Sequence, residues 1–220
     1  MSRTDIRKSG RAVNNRKRLA PQFSAKRLSA RARTESLSLT LADRLDDEIW
    51  IFGYASLLWK PDLAYVDRRL GIVRGYQRRL NVWTVRARGT PEHPGVGFGL
   101  ERNDNGSCQG VVYCLDLEAR EQDLTALWER EMTTGIYRPC WLTVETGEGN
   151  VEAITFVVDE THPQYADSLS QEQMASAIAG AHGESGSCRD YFTRTMCELT
   201  TLGIDDPELQ SVLSMMQGLE

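Results

Sequence analysis

The apolar and polar positions of this 220-residue chain form their first strong pattern at residues 49–59. The segment opens with three consecutive apolar side chains, Trp50, Ile51 and Phe52, as expected of a strand that is buried on both faces. It then breaks into Gly-Tyr-Ala-Ser at 53–56 before it becomes apolar again. A strand that only fills a core does not need this break, whereas a strand that presents backbone N–H groups to a ligand does. Residues 49–55 are therefore predicted to form a strand that leads into a candidate binding turn.

Further segments have the pattern of extended chain. Residues 71–86 are predicted to form a strand with a bulge at Gly75. Residues 96–100 and 110–117 are apolar and flank an Asn105-Gly106 pair, which is a strong signal for a hairpin turn. The sequences CWLTVET and VEAITFVVD, separated by GEGN, predict a second hairpin.

Helical periodicity lies between these strands and after them. Residues 118–130 place Leu124, Leu127 and Trp128 on one face of a helix. Three more helices are predicted after residue 170, at 171–181, at 187–202 with a stop at Gly203, and at 206–219 with Asp206 as the cap and Pro207 in the first turn. Antiparallel strands followed by a helical C-terminus indicate an α+β fold and not a doubly wound sheet.

Charge is distributed unevenly along the chain. Residues 1–34 contain 11 of the 26 Lys and Arg residues and a single acid, Asp5, so the remaining chain has 15 bases and 30 acids, a net charge near −15. Such an acidic body repels phosphate, and we expect no nucleic-acid binding by it. The Arg-, Ser- and Ala-rich start is predicted to be disordered. We expect a basic extension at 1–45 and one folded domain at 46–220. An organelle transit peptide or an arm that binds RNA or lipid remains open for the extension, and a dispensable extension or a misplaced start codon is favoured.

The five cysteines form no CxxC pair, and the chain has neither a secretory signal nor an apolar run long enough to span a membrane. Reduced thiols in the cytoplasm are the expectation. The only histidines are His93, His162 and His182, which are far apart in sequence, so no metal site is predicted.

The turn at 53–56 has no catalytic motif of its own. GxSxG is absent, as are the glycine-rich phosphate-binding loops. Backbone N–H groups in a turn of small residues can bind a carboxylate, as a nest does. On residue types alone, a plain tight turn is the favoured interpretation.

A second candidate is the sequence LWEREMTTGIYRP at 127–139. Glu129 and Glu131 are two residues apart, and such residues lie on different faces of a helix. If Leu127 and Trp128 pack inward, Glu131 points inward with them and Glu129 faces water. An inward carboxylate is costly to bury, which indicates a function. A solvated charge pair is the alternative.

Together and in this order, these segments resemble the ChaC-type γ-glutamylcyclotransferases. GYASLLWKP is similar to the family signature FGYGSLxWxP, and the resemblance continues in VRGYQRRL, GVVYCL, WEREMTTGIYRPCWL and SGSCRDYFTRTMCELTTLGIDDPEL. It covers about residues 49–215. It implies a small β-barrel with flanking helices that cleaves glutathione into 5-oxoproline and cysteinylglycine. Two positions depart from the family pattern, Ala55 in place of Gly and Cys188 in place of Asn. A φ angle above zero at Ala55 would weaken substrate binding.

The resemblance also implies roles for individual residues. Glu131 corresponds to the catalytic Glu, the general acid and base of an intramolecular ring closure. Substrate binding is implied for Tyr54, Ala55, Ser56 and Leu57, through the backbone of the turn, and for Tyr137. Glutathione is the implied small-molecule partner, with no cofactor, no metal, no membrane, no nucleic acid and no obligate protein partner.

Three other functions stay open at this point. The chain could act on a different γ-glutamyl compound. It could be a non-enzymatic regulator of cation transport, although a regulator would not need Glu131. It could be a Cys–His hydrolase that uses Cys188 and His182, which both lie in a glycine-rich stretch but have no evident orienting partner.

Overall fold

The computed structural model describes residues 26–42, 44 and 48–219, and five of its strands close into a barrel. The order around the barrel is β1, β3, β2, β4, β5, and β1 pairs in parallel with β5 to close it. The α+β prediction is confirmed. The barrel strands are β1 (Trp50–Gly53), β2 (Tyr65–Thr84), β3 (Gly95–Leu115), β4 (Tyr137–Thr146) and β5 (Gly149–Val158).

Helices and one small hairpin surround the barrel. The helices are α1 (Ala30–Leu41), α2 (Ser56–Trp59), α3 (Arg120–Glu131), α4 (Gln171–Gly180), α5 (Cys188–Thr201) and α6 (Pro207–Gln217). Strands β6 (His182–Gly183) and β7 (Gly186–Ser187) form the hairpin. No helix in the described part of the chain is long and apolar enough to cross a membrane.

Strands β2 and β3 are long because they pair with each other over nearly their whole lengths. The predicted bulge at Gly75 is confirmed: the register shifts there, and Gly75 adopts φ +78°. The hairpin predicted at Asn105-Gly106 was wrong. Residues 96–100 and 110–115 belong to the single strand β3. They follow one another along it, and both pair with β2 instead of with each other. The four residues 103–106 lie between the partners of Arg74 and Tyr76, so the local turn preference produces an irregularity within a strand.

The second predicted hairpin and the three C-terminal helices are confirmed. Strands β4 and β5 pair in register from Tyr137↔Val158 to Thr146↔Gly149. Helix α4 begins with a capping box at Ser170, and α5 is followed by Gly203 at φ +69°. The Asp206 side chain accepts a hydrogen bond from the Leu209 N–H at 3.3 Å and caps α6. Apolar side chains of all three helices join the main core of the barrel.

Helix α1 corrects the prediction of a disordered extension. Residues 1–25 lie outside the described residues, but residues 30–41 form a helix capped by Ser29. The indole N–H of Trp128 donates to Ser36 Oγ at 3.2 Å, and that of Trp141 donates to the Thr40 carbonyl at 2.8 Å. The prediction failed because composition was averaged over the whole basic segment. That average hides three leucines that pack on the core beside α3: Leu28, Leu37 and Leu41.

Candidate active site

A cavity of about 930 Å³ is lined by residues of the helices α2, α3 and α5 and of the strands β2, β3 and β4. This volume is within the range of small-molecule binding sites. Helix α2 contributes Ser56 and Trp59, α3 contributes its last residue Glu131, β4 contributes Tyr137, and α5 contributes Tyr191. Each of these side chains is thereby fixed by an element that belongs to the barrel or packs on it.

Glu131 has the orientation that the helical pattern predicted. Leu124, Leu127 and Trp128 are buried on the inner face of α3, with Trp128 only 1% exposed. Glu131 follows on that face and lines the cavity with 16% of its side chain exposed. Glu129 is exposed to solvent. The helix therefore directs one carboxylate into the cavity and the other into water.

The surroundings of Glu131 favour its protonated form. Burial raises the pKa of the Glu131 carboxyl, and the charge of Arg130 opposes that rise in part. Arg130 Nε lies 3.2 Å from Glu131 Oε1. The same guanidinium donates to Ser56 Oγ at 2.8 Å and to the Lys60 carbonyl at 2.7 Å. Arg130 thus links the candidate catalytic carboxylate to the binding turn, a role that no sequence pattern indicated.

Three tyrosines lie within electrostatic range of this carboxylate. Burial, and then the charge of Glu131 among other groups, raises the pKa of Tyr54, Tyr137 and Tyr191, so all three phenols stay neutral. The Tyr54 hydroxyl donates to the Phe156 carbonyl at 2.9 Å, and the Tyr137 hydroxyl donates to the Phe98 carbonyl at 2.6 Å. These bonds fix both rings to barrel strands.

The turn at 53–57 is tightly folded against α2. A Cβ atom at Gly53 would lie 2.7 Å from the Leu57 Cβ atom, so only glycine fits there. Ala55 has φ −141°, which is outside the left-handed region that favours glycine. Alanine in place of the family's glycine therefore causes no backbone strain of the kind that a positive φ would bring.

The predicted binding residues divide into two groups. Ser56 and Tyr137 line the cavity together with Glu131. The side chains of Tyr54, Ala55 and Leu57 are buried, so a contact from Ala55 or Leu57 to a ligand must come from the backbone. The first N–H groups of a helix lack intrahelical acceptors, and those of Ser56 and Leu57 open α2.

Arg78 holds this turn from behind and was missed by the sequence analysis. Its side chain is 4% exposed. Its Nε donates to the Tyr54 carbonyl at 2.5 Å, its Nη2 donates to the Gln109 carbonyl, and its Nη1 lies 3.5 Å from Asp206 Oδ2. With the Tyr54 carbonyl directed toward Arg78, the N–H on the same peptide bond points the opposite way.

The turn that follows Glu131 is also held by residues that the sequence analysis missed. Gln164 Nε2 donates to the Trp83 carbonyl at 2.9 Å, and the Thr134 hydroxyl donates to Gln164 Oε1. Gly135 adopts φ +83°, which a side chain would strain. The chain can therefore reverse directly after α3 and place Tyr137 beside Glu131.

The hydrolase hypothesis is wrong. Cys188 is fully buried, and its thiol contacts the Val96 carbonyl at 3.2 Å. Burial raises the pKa of Cys188 to about 11, so the thiolate needed for nucleophilic attack is not formed at neutral pH. His182 is exposed, and neither residue lines the cavity.

Metal-ligating side chains do not cluster in the described residues, where no three His, Cys, Asp or Glu groups are placed to hold an ion.

Comparisons with known proteins are consistent across sequence and fold. The sequence model of a family described as ChaC-like protein matches residues 49–218. The chain is 38% identical over 193 residues to the glutathione-specific gamma-glutamylcyclotransferase of Escherichia coli K12, which covers 87% of this chain and 83% of that protein. It is 34% identical over 149 residues to the human glutathione-specific gamma-glutamylcyclotransferase 1, with 66% and 67% covered.

The fold has a solved counterpart. The crystal structure of a yeast gamma-glutamyl cyclotransferase specific to glutathione superposes with a TM-score of 0.72 at 21% identity, over 78% of this chain and 97% of that one. At this level of identity the likeness concerns the fold alone.

Proposed function

The chain belongs to the ChaC-like family, and we propose on that premise that it is a glutathione-specific γ-glutamylcyclotransferase. The observation that carries the proposal is the carboxylate of Glu131, which lines the cavity together with Ser56 of the turn at 53–57 and whose pKa is raised by burial. An intramolecular ring closure needs a proton acceptor and a fixed substrate geometry, and this cavity offers both.

The reaction balances without water or a protein nucleophile. The α-amine nitrogen of the γ-glutamyl group forms a bond to its own γ-carbonyl carbon, and the bond from that carbon to the cysteinyl nitrogen breaks. Two protons leave the glutamyl nitrogen and end on the new amine of cysteinylglycine. One carboxylate, that of Glu131, shuttles these protons as general base and then general acid.

The raised pKa of Glu131 suits this shuttle. A free α-amine has a pKa near ~8, so it enters the cavity protonated at neutral pH. A carboxylate with an ordinary pKa is a weak base toward such an ammonium group. Raising the pKa of Glu131 narrows the gap between donor and acceptor and so makes each proton transfer less costly.

The turn at 53–57 holds the glutamyl end in this proposal. Its backbone N–H groups bind the α-carboxylate of the substrate, and Arg78 fixes their direction through the Tyr54 carbonyl. Ser56 and Tyr137 contribute to the wall against which the glutamyl chain folds. Holding the amine near its own carbonyl supplies much of the rate enhancement, because the reaction is unimolecular once the conformation is fixed.

The direct test is incubation of the purified protein with glutathione, with 5-oxoproline and cysteinylglycine measured as products. Equal amounts of both products are expected. Release of free glutamate would indicate hydrolysis and contradict ring closure. Cleavage of other γ-glutamyl amides but not of glutathione would favour the alternative substrate. No turnover of any γ-glutamyl compound would favour the non-enzymatic regulator.

We also propose a reducing compartment, the cytoplasm, as the location. All five cysteines are free, and three of them are buried where oxidation would disturb the core: Cys108, Cys114 and Cys188. This fits a protein that works where thiols stay reduced. A small-molecule substrate suffices for the proposed reaction, with no obligate protein partner.

A further inference from the structure

The charges that line the cavity differ from those of the whole folded chain. From residue 35 onward, acids outnumber bases by two to one. In the lining of the cavity, by contrast, bases outnumber acids by five to three. Its charged lining residues are the bases Arg27, Lys60, Arg86, Arg88 and Arg130 and the acids Asp62, Glu131 and Glu184. A cavity with an excess of cations on an acidic protein is suited to a ligand with more than one negative charge.

Three of these cations already have carboxylate partners. Arg130 lies 3.2 Å from Glu131 and 3.5 Å from Asp62. Lys60 lies 3.6 Å from the same Asp62, and Arg86 Nε lies 2.8 Å from Glu184. The charge of each is therefore offset locally, and none of the three is the first candidate to bind an anionic ligand.

Of the two remaining cations, Arg27 is exposed, whereas Arg88 is partly buried and its contacts are neutral. Its Nη1 donates to the Ser185 carbonyl, and its guanidinium lies over the Tyr191 ring, 5.2 Å from the ring centre. Its backbone N–H donates to the Thr84 hydroxyl at 3.1 Å. Among the described residues, no carboxylate forms an ion pair with Arg88. A partly buried guanidinium fixed by a carbonyl and a ring retains donors for a planar, two-oxygen anion.

Tyr191 connects Arg88 to the reacting centre. Its ring contacts Arg88, and the charge of Glu131 contributes to the raised pKa of its hydroxyl. Arg88, Tyr191 and Glu131 all line the same cavity. Two extended residues span about 7 Å. The C-terminal carboxylate of a tripeptide whose scissile bond lies at Glu131 therefore reaches up to about 7 Å further along the cavity than that bond.

We infer that Arg88 is a specificity-determining residue that binds the C-terminal carboxylate of the tripeptide substrate. This inference rests on the proposed function and deepens it. The turn at 53–57 recognises the γ-glutamyl end, whereas Arg88 recognises the carboxylate two residues beyond the scissile bond. The binding energy comes from a part of the substrate that does not react. γ-Glutamyl compounds without that carboxylate lose this contact, so Arg88 makes the enzyme selective for peptides of this length.

The test compares two substrates in four proteins. The substrates are glutathione and its glycine monoethyl ester, in which a neutral ethyl ester replaces the C-terminal carboxylate. The proteins are the wild type, Arg88→Gln, Arg88→Lys and Arg86→Gln. The last removes the same charge from the same cavity at a position already paired with Glu184. Thermal unfolding of each variant is recorded first, so that a loss of fold is separated from a loss of recognition.

Arg88→Gln is expected to lower kcat/KM for glutathione by about tenfold, mainly through KM, and to leave the ester unaffected. The wild-type preference for glutathione over the ester then disappears. Arg88→Lys is expected to keep part of the preference, and Arg86→Gln all of it. An unchanged preference in Arg88→Gln overturns the inference, as does an equal loss for both substrates or a loss of preference in Arg86→Gln.

Binding measurements keep this test separate from that of the proposed function. Calorimetry with glutathione and with the ester is carried out on Glu131→Gln and on the double variant Glu131→Gln/Arg88→Gln. An Arg88-dependent preference in binding supports the inference even if the wild type turns over neither compound, a result that would overturn the proposed function alone. Binding of glutathione that does not depend on Arg88 overturns the inference even if turnover is found.

Discussion

The inner part of the cavity and its rim differ in the number and in the exposure of their charged side chains. The inner part is formed by Glu131, Tyr137 and Tyr191, where one carboxylate is largely buried among neutral phenols. The rim is formed by Lys60, Arg86, Arg88 and Glu184, where the charges are exposed or partly exposed. The inner part has one charged side chain, and its pKa is shifted by burial. The rim has several charged side chains, and they lie near solvent.

This difference indicates a division of work. A carboxylate changes its proton affinity only where water is largely excluded, and such a change is useful for proton transfer. Exposed charges interact weakly with each other but attract and orient a charged ligand. Chemistry is therefore expected to depend on the inner part, and recognition of the distal end of the substrate on Arg88 at the rim.

Glu131→Gln is the largest expected effect. The substitution keeps the shape and most hydrogen bonds of the side chain but removes the proton acceptor. Turnover of glutathione is expected to fall by at least ~10²-fold, the lower range for general acid–base catalysis. Glutathione is expected to remain bound, because the proposed holding contacts lie in the turn at 53–57. Steady-state kinetics and calorimetry on the same variant measure both quantities.

Glu129→Gln is the matched control. Glu129 lies on the same helix two residues earlier, and its side chain is exposed. The loss of a negative charge is the same in both variants, but the position relative to the cavity differs. Turnover is expected to stay close to that of the wild type. Equal losses in the two variants would show that the catalytic carboxylate has been misassigned.

The orientation of these two carboxylates could be predicted from sequence, because it depends on the helical period alone. Leu127 and Trp128 mark the inner face, and Glu131 follows on it. The roles of Arg78 and Gln164 in holding the site could not be predicted in this way. Arg78 contacts residues 24, 31 and 128 positions away in sequence, and Gln164 contacts Trp83 over 81 positions. Such contacts exist only once the barrel has closed, and no local pattern encodes them.

Helix α1 also could not be predicted from local sequence, because it depends on tertiary packing. Its leucines at 37, 39 and 41 recur at every second residue, a spacing that does not mark one face of a helix. Its leucines become informative only when the surface of α3 and β4 is known. Most helical stability in proteins comes from tertiary packing of one face rather than from propensity. Composition therefore predicted disorder where packing on the barrel gives a helix.

Arg78→Lys is expected to have the next largest effect, on binding more than on turnover. Lysine keeps the charge near Asp206 but cannot donate at once to the Tyr54 and Gln109 carbonyls. The binding turn then loses its fixed direction, and the KM for glutathione is expected to rise by about tenfold, the worth of one charged hydrogen bond. The kcat at saturation is expected to change less, because Glu131 is untouched.

Arg79→Lys is the control for Arg78. The neighbouring arginine is partly exposed and pairs with Glu101 at 3.3 Å, so it does not reach the binding turn. Its substitution is expected to leave both KM and kcat near the wild-type values. If instead both arginine variants raise KM to the same extent, a general loss of barrel stability explains the result, and Arg78 has no specific role in positioning the turn.

Arg130→Gln is expected to move the pH profile of turnover rather than abolish activity. The ionised form of Glu131 is the active base, so kcat rises as pH passes upward through the pKa of Glu131. The Arg130 charge lowers that pKa against the effect of burial. Without it the pKa of Glu131 rises further, and the acid limb of the kcat profile shifts to higher pH. A shift to lower pH would contradict the assigned base.

Ser36→Ala is expected to change stability and not catalysis, which places α1 outside both parts of the cavity. The serine hydroxyl accepts the indole N–H of the buried Trp128 at 3.2 Å. Its loss is expected to lower the free energy of unfolding by about 1 kcal/mol. Ser38→Ala is the matched control, because Ser38 is exposed in the same helix and the gain in helix propensity is the same. Urea unfolding of both variants isolates the Trp128 bond as the difference between them. Equal stabilities would mean that α1 is held by its leucines alone. A large loss of turnover in Ser36→Ala, with the fold intact, would mean that α1 helps to position Glu131 and that the active site extends beyond the inner part and the rim.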